Sequence, residues 1–145
     1  MMSNPYVYYR IDSLSDLNRI PSDFVRNLDW HKDLAMIQRF YARFNSTVNP
    51  DDFGLYVGSP LAIIQYGEIV VFAIPLSFRE GETEIGGVAT VPDQRNKGYC
   101  KTLLSEMALR ILKSGKSATL TTEKDNLPMQ KAAEAIGMKR ISKDT

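Results

Sequence analysis

The chain has 145 residues, of which 43% are hydrophobic and 24% charged, with a formal net charge of +1 at pH 7. That is the size and balance of one ordinary soluble domain, and the charge gives neither the basic field of a nucleic-acid binder nor the acidic excess of a disordered chain. There is no run of ~20 apolar residues to span a membrane, and a single cysteine, Cys100, with a single histidine, His31, excludes a disulfide framework and multi-cysteine or multi-histidine metal sites.

The polar N-terminus, Met1 to Pro5, lacks the apolar core of a signal peptide, so a cytoplasmic location is the expectation. Tyr6 to Ile11 is aromatic and β-branched and predicts a first strand. Asp12-Ser13-Leu14-Ser15-Asp16 is turn and cap chemistry that predicts a short helix stopped by Pro21, and Ser22 predicts a second helical stretch near Phe24 and Leu28. His31 to Phe44 reads as a helix, with Leu34, Ile37, Tyr41 and Phe44 at helical spacing. Asn45 to Asp52 is a loop. From Leu61 the pattern becomes β: Leu61–Ile64 and Ile69–Ile74 flank the hairpin turn Tyr66-Gly67-Glu68. Arg79 to Thr83 is another turn and Glu84 to Val91 the next strand.

A helix is expected from Gly98 to Lys113, with Leu103, Leu104, Met107, Ala108, Ile111 and Leu112 as its apolar stripe. Ser117 to Thr122 is a short strand. Asn126 caps a last helix that carries Pro128 in its first turn and Gly137 past its end. Met138 to Ile141 has room for one short strand at most. The reading is one domain over residues 1–145: a mixed α/β sheet, antiparallel in its middle and parallel where a helix crosses over.

The densest chemistry lies in Val88-Ala89-Thr90-Val91-Pro92-Asp93-Gln94-Arg95-Asn96-Lys97-Gly98-Tyr99-Cys100-Lys101. A strand stops at a proline, a basic turn follows, and a helix opens at a glycine. Free N–H groups at the helix start and the helix dipole favour an anion there. Gly98 lets a backbone come close to a phosphate, and Arg95, Lys97 and Lys101 add charge. There is no G-x-x-x-x-G-K-[ST] loop, and the glycine spacing does not fit a G-x-G-x-x-G loop.

Arg95-Asn96-Lys97-Gly98-Tyr99-Cys100 resembles the pyrophosphate motif Q/R-x-x-G-x-G/A of the GNAT superfamily of acetyl-CoA-dependent N-acetyltransferases, with cysteine where glycine or alanine is usual. Glu84 to Pro92 is similar to the strand before that motif, and Asp125-Asn126 with Ala132 to Met138 is similar to the family's last helix. The resemblance covers Glu84 to Met138 and implies a GNAT-like fold with a truncated C-terminal hairpin. It also implies transfer of an acetyl group from acetyl-CoA, without a metal, to a small-molecule or peptide amine by direct attack on the thioester. A CoA-binding regulatory module with little or no transferase activity is the alternative. The short tail leaves a sheet edge that a second copy could cover in a homodimer. Nucleic acid and membrane are not expected partners.

The resemblance also assigns roles. Asn96 to Lys101 would cradle pyrophosphate with backbone N–H groups, and Val88, Ala89 and Thr90 would offer backbone to the pantetheine arm, one N–H acting as an oxyanion donor. Gly86-Gly87 is either a bulge that opens room for the cofactor or a weak strand start. An amine of pKa ~10.4 must lose a proton before attack. Glu84 matches a position where some members carry a catalytic glutamate; it is otherwise a solvated turn acid beside Glu80 and Glu82. The tyrosine that many members use to protonate the thiolate is Ala133 here, so water would serve. Tyr56 and Tyr66 are further phenols that the sequence does not place. Asn126 could bind the cofactor or only cap its helix. Cys100 could carry an acyl group, although a small buried residue is the ordinary reading. His31, with Trp30, stands where the acceptor pocket forms in the family and is read as a surface or cap residue.

Overall fold

The computed structural model describes residues 4–142, without the side chains of residues 53–55. Among them the strands are β1 (Tyr6–Ile11), β2 (Val25–Asn27), β3 (Leu61–Gln65), β4 (Glu68–Leu76), β5 (Glu82–Thr90), β6 (Ser117–Glu123) and β7 (Lys139–Ile141). The α-helices are α1 (Leu34–Ala42), α2 (Tyr99–Lys113) and α3 (Leu127–Ala135). One sheet runs in the order β2-β3-β4-β5-β6-β1-β7, and only the β5–β6 pair, joined through α2, is parallel.

Local chemistry explains the meander. Tyr66 and Gly67 both have positive φ, +52° and +75°, and two left-handed residues in a row make the tight turn whose twist suits a hairpin. β4 is buried along most of its length because helices lie on it: α1 brings the Phe40 ring to 5.4 Å from Phe72, and α2 packs across β3 to β6. The six predicted stripe residues of α2 are all buried. Alternation then gives the far half of the sheet two different faces. Val7, Tyr9 and Ile11 of β1 and Ala118, Leu120 and Thr122 of β6 are buried on the helix side. Tyr6, Tyr8 and Arg10 with Thr119 and Thr121 lie on the other.

Two early segments differ from expectation. The helix expected before Pro21 is one 3₁₀ turn, Leu14–Asp16, with Ser13 Oγ accepting from Ser15 N–H at 3.2 Å. The stretch expected as helix after Ser22 contains β2: Ser22 Oγ accepts from Phe24 N–H at 3.1 Å, and Val25 to Asn27 pair antiparallel with β3. A free strand edge on β3 outweighs a weak local helical preference. Helix α1 is also shorter than predicted, because Asp29 Oδ1 holds the N–H groups of His31 and Lys32 in a turn ahead of it.

After α3 the described residues form one strand, β7, of 3 residues, paired with β1. The place beside β6 is nevertheless filled. β1 lies between β6 and β7, antiparallel to both, so the chain's own N-terminal strand covers the edge of β6. No helix among the described residues is long and apolar enough to cross a membrane.

Candidate functional site

The site begins where two parallel strands part. β5 pairs with β6 only from Glu82 to Glu84, opposite Ser117 to Thr119; beyond that the two strands have no ladder in common. On its other side β5 is bulged. Gly86 faces Ile74 and Ala89 faces Phe72, leaving Gly87 and Val88 against Ala73 alone. Such a bulge bends and twists its strand. Gly87 has φ +57°, and a Cβ there would lie 2.9 Å from Ile74 Cδ1; a Cβ on Gly86 would lie 2.3 Å from Leu76 Cδ1. The glycine pair is therefore a bulge and not a weak strand start.

A cleft of about 1000 Å³ occupies the opening. Val88, Ala89 and Thr90 form one wall, the turn and the start of α2 form the floor, and Met129, Lys131 and Ala132 of α3 form the far wall. The first intrahelical bond near the α2 start is Thr102 N–H to Gly98 O at 3.1 Å, so the N–H groups of Tyr99, Cys100 and Lys101 precede the ladder, and no side chain caps them. Asn96 and Gly98 have φ +63° and +79°, and a Cβ on Gly98 would point into open space. Arg95 Nε donates to Thr90 O at 3.1 Å, fastening the turn to the strand end.

The residues assigned to the cofactor from sequence line this cleft, with one exception. Lys97 faces a neighbouring hollow beside Phe24 and Gln65 and donates to Gln94 Oε1 at 3.1 Å. Asn126 Oδ1 accepts from Met129 N–H at 3.3 Å, so its cap role is observed while its side chain also borders the cleft. Phe44 and Lys131 join the lining although the sequence pattern does not single them out for the site. Cys100 Sγ lies 3.9 Å from Met129 Sδ, and burial pushes its thiol up to about 11. An acyl-carrying cysteine needs the opposite shift, so Cys100 behaves as a small apolar side chain.

Glu84 is not in the cleft. It lies on the other face of the sheet, in a hollow of about 450 Å³ against β6 and β1. Thr121 Oγ1 donates to Glu84 Oε1 at 3.0 Å. Burial raises the Glu84 carboxyl above the usual range, the Thr121 hydrogen bond opposes the rise, and the charge of Glu82 adds to it. Glu82 itself is paired with Arg10, which also bonds Asp12 at 2.6 Å. Glu84 is therefore at the crotch of the fork, half-buried and, among the described residues, without an ion pair.

The remaining candidates lie elsewhere. Ala133 is fully buried in the core, and Tyr66 is fully exposed at its hairpin tip. The Tyr56 ring stacks on Trp30 at 4.8 Å, and the Tyr99 hydroxyl is held by the Gln65 amide. Tyr9, on the helix side of β1, donates to Glu134 Oε2 at 2.8 Å. His31 sits in the turn before α1 and lines neither hollow. Among the described residues no group of three His, Cys, Asp or Glu is placed to hold a metal ion.

Known proteins agree with this geometry. A putative GNAT-family acetyltransferase from Novosphingobium aromaticivorans superposes with a TM-score of 0.78 at 13% identity, over 94% of this chain and 59% of its own length. A GNAT-family acetyltransferase from Colwellia psychrerythraea gives 0.76 at 14% identity, over 93% of this chain and 52% of its own. An aminoglycoside N-acetyltransferase in complex with CoA gives 0.62 at 16% identity, over 79% of this chain and 90% of its own. The chain thus spans little more than half the length of the first two. No curated protein matches it in sequence. The sequence model of FR47-like proteins matches residues 68–145, more than half the chain and the whole of the fork, cradle and last helix. The chain belongs to the FR47-like protein family and has the GNAT fold.

Proposed function

We propose that the protein is an N-acetyltransferase that moves an acetyl group from acetyl-CoA to an amine by direct attack on the thioester. The observation that carries this reading is the placement of the fork. The edge of β5 freed beyond Glu84 runs down to the uncapped N–H groups of Tyr99, Cys100 and Lys101 across one continuous cleft.

The residues present suit the cofactor. The open space over Gly98 admits a phosphate where a Cβ would stand. The N–H groups of Tyr99 to Lys101, with Arg95 and Lys101 beside them, would hold the pyrophosphate. The backbone of Val88 to Thr90 would hold the pantetheine amides as a strand holds its neighbour, and the end of the β6 ladder at Glu84 leaves that edge unpaired. Acetyl-CoA bound there would supply the acetyl group as a thioester. Glu84 takes the proton from the acceptor ammonium; its carboxyl, raised by burial, binds a proton more readily than an exposed acid. A β5 N–H at the fork donates to the thioester carbonyl oxygen. Solvent protonates the departing thiolate, since Ala133 stands where a tyrosine would.

Ala133 also favours a second reading, a CoA-binding module with little or no turnover. Thiol release from acetyl-CoA across an amine panel, with CoA affinity measured by calorimetry, separates the two. Turnover with any amine supports the transferase. Tight CoA binding on folded protein without turnover supports the module, and absence of CoA binding overturns both.

A further inference from the structure

The hollow around Glu84 has a definite charge inventory. Two cations line it, Arg10 and Arg79. Arg10 is consumed: it pairs with Glu82 and Asp12 and donates to Ser117 Oγ at 3.2 Å. Among the described residues Arg79 has no side-chain hydrogen bond or ion pair, and it lies exposed on the rim. Of the acids lining the hollow, Glu82 is neutralised by Arg10, which leaves Glu84. One unpaired acid and one unpaired cation therefore face the same space.

Their separation is bounded by the fold. Glu82 N–H bonds Arg79 O at 3.4 Å, closing a four-residue turn, and Glu84 follows two strand residues later on the face that Glu82 shares. A turn of under ~7 Å and two strand steps of ~3.4 Å leave two long side chains with little space between them. Aromatic surface borders that space. Phe78, next to Arg79, is 73% exposed and Tyr6 is 45% exposed, and Tyr8 completes the wall. Exposed rings around a concavity offer flat contact area to a ligand.

We propose that the acetyl acceptor in this hollow is an aliphatic amine that carries both an aromatic ring and a carboxylate, in the manner of an aromatic amino acid, and not a polycation. The proposal rests on the transferase reading for the fate of the amine, but the recognition it describes does not. The ammonium approaches Glu84, the ring lies against Phe78 and the tyrosines, and the Arg79 guanidinium takes the carboxylate through charge-assisted hydrogen bonds. A polyamine would place its second ammonium where Arg79 stands and find no unpaired acid for it.

The test uses matched pairs, phenylalanine with phenethylamine and 4-(aminomethyl)benzoate with benzylamine, and adds spermidine. Acetyl-CoA-dependent thiol release gives kcat/KM, and calorimetry on CoA-loaded protein gives affinity. In at least one pair the carboxylate member is expected to exceed the partner that lacks the carboxylate by about tenfold or more, the scale of one charge-assisted contact. Arg79→Gln is expected to collapse that ratio toward one, and Arg79→Lys to restore part of it. Preference for spermidine, or a ratio that Arg79→Gln leaves intact, overturns the proposal. If nothing turns over but the affinity ratio is present and depends on Arg79, the transferase reading fails and the recognition stands. If nothing turns over and no affinity ratio exists, both fail.

Discussion

Glu84 and Thr121 stand on the two prongs of the fork, and the threonine hydroxyl donates to the carboxylate at 3.0 Å across its crotch. This bond opposes the two influences that raise the carboxyl, burial first and the charge of Glu82 second. Thr121→Val removes the opposing donor alone. The acid limb of the pH–rate profile is expected to move to higher pH while CoA affinity stays put. Glu84→Gln should abolish that limb and lower the rate by about 10²–10⁴, the usual worth of a positioned base. A profile that neither substitution moves would clear Glu84 of the role.

The same shift has a stability signature. A carboxyl whose folded pKa lies above its unfolded value favours the fold when protonated, and that contribution is lost as pH rises through the folded pKa. Ionised Glu84 therefore works against the fold. Glu84→Gln removes the buried charge and keeps an acceptor for Thr121, so it should be more stable than the parent at pH 7. The gain should shrink as pH falls through the raised pKa into the ordinary carboxyl range. Urea midpoints at the two ends of that window decide it. A variant less stable at pH 7 would mean that the Thr121 bond to a full charge outweighs burial.

Gly98→Asp tests the cradle. Gly98 has φ +79°, a region that aspartate tolerates better than most residues, and nothing lies within 4 Å of the new Cβ, so the fold should survive. The carboxylate would point into the space assigned to pyrophosphate. CoA affinity should fall by tenfold or more, roughly 1.4 kcal/mol at the least. Circular dichroism checks the fold and calorimetry the affinity; unchanged affinity removes the phosphate from this turn.

What the sequence makes visible is local. The strand end at Pro92, the turn through Arg95 and Asn96 and the helix opening at Gly98 each follow from what one residue does to its own backbone, and all stand where the pattern puts them. Gly86-Gly87 left two readings open because its meaning depends on Leu76 and Ile74 of the next strand, which a Cβ would meet. The place of β1 between β6 and β7 is hidden for the same reason: the alternation of Tyr6 to Ile11 predicts a strand but names no partner. β2 has only 3 residues, too few for a period, and Ser22, which looks like a helix cap, serves a turn. Lys97 shows the limit of a motif, since a run of adjacent residues in a turn cannot all face one side, and this one faces the neighbouring hollow. The pairing of Arg10 with Glu82, which leaves Arg79 and Glu84 as the charges facing the hollow beside β6 and β1, joins segments far apart in the chain.

Tyr9 is the phenol closest in sequence pairing to the fork, opposite Leu120, and the loss of a tyrosine at position 133 invites the idea that it replaces the missing acid. The geometry assigns it a different task. Its ring is 1% exposed on the helix side, its hydroxyl donates to Glu134 Oε2 at 2.8 Å, and it lines no part of the cleft. Burial raises its pKa, and the Glu134 bond adds to the rise, so the phenol holds its proton more tightly than an exposed tyrosine. The bond ties the inserted strand β1 to α3, the helix that forms the far wall of the cleft. Tyr9→Phe should therefore cost about 1–2 kcal/mol in urea unfolding with an unchanged slope, as a lost hydrogen bond to a charged but partly solvated partner does. Its kcat should match the parent at a temperature where both are folded. A fall in kcat at equal stability would reverse the assignment and make Tyr9 the group that protonates the thiolate.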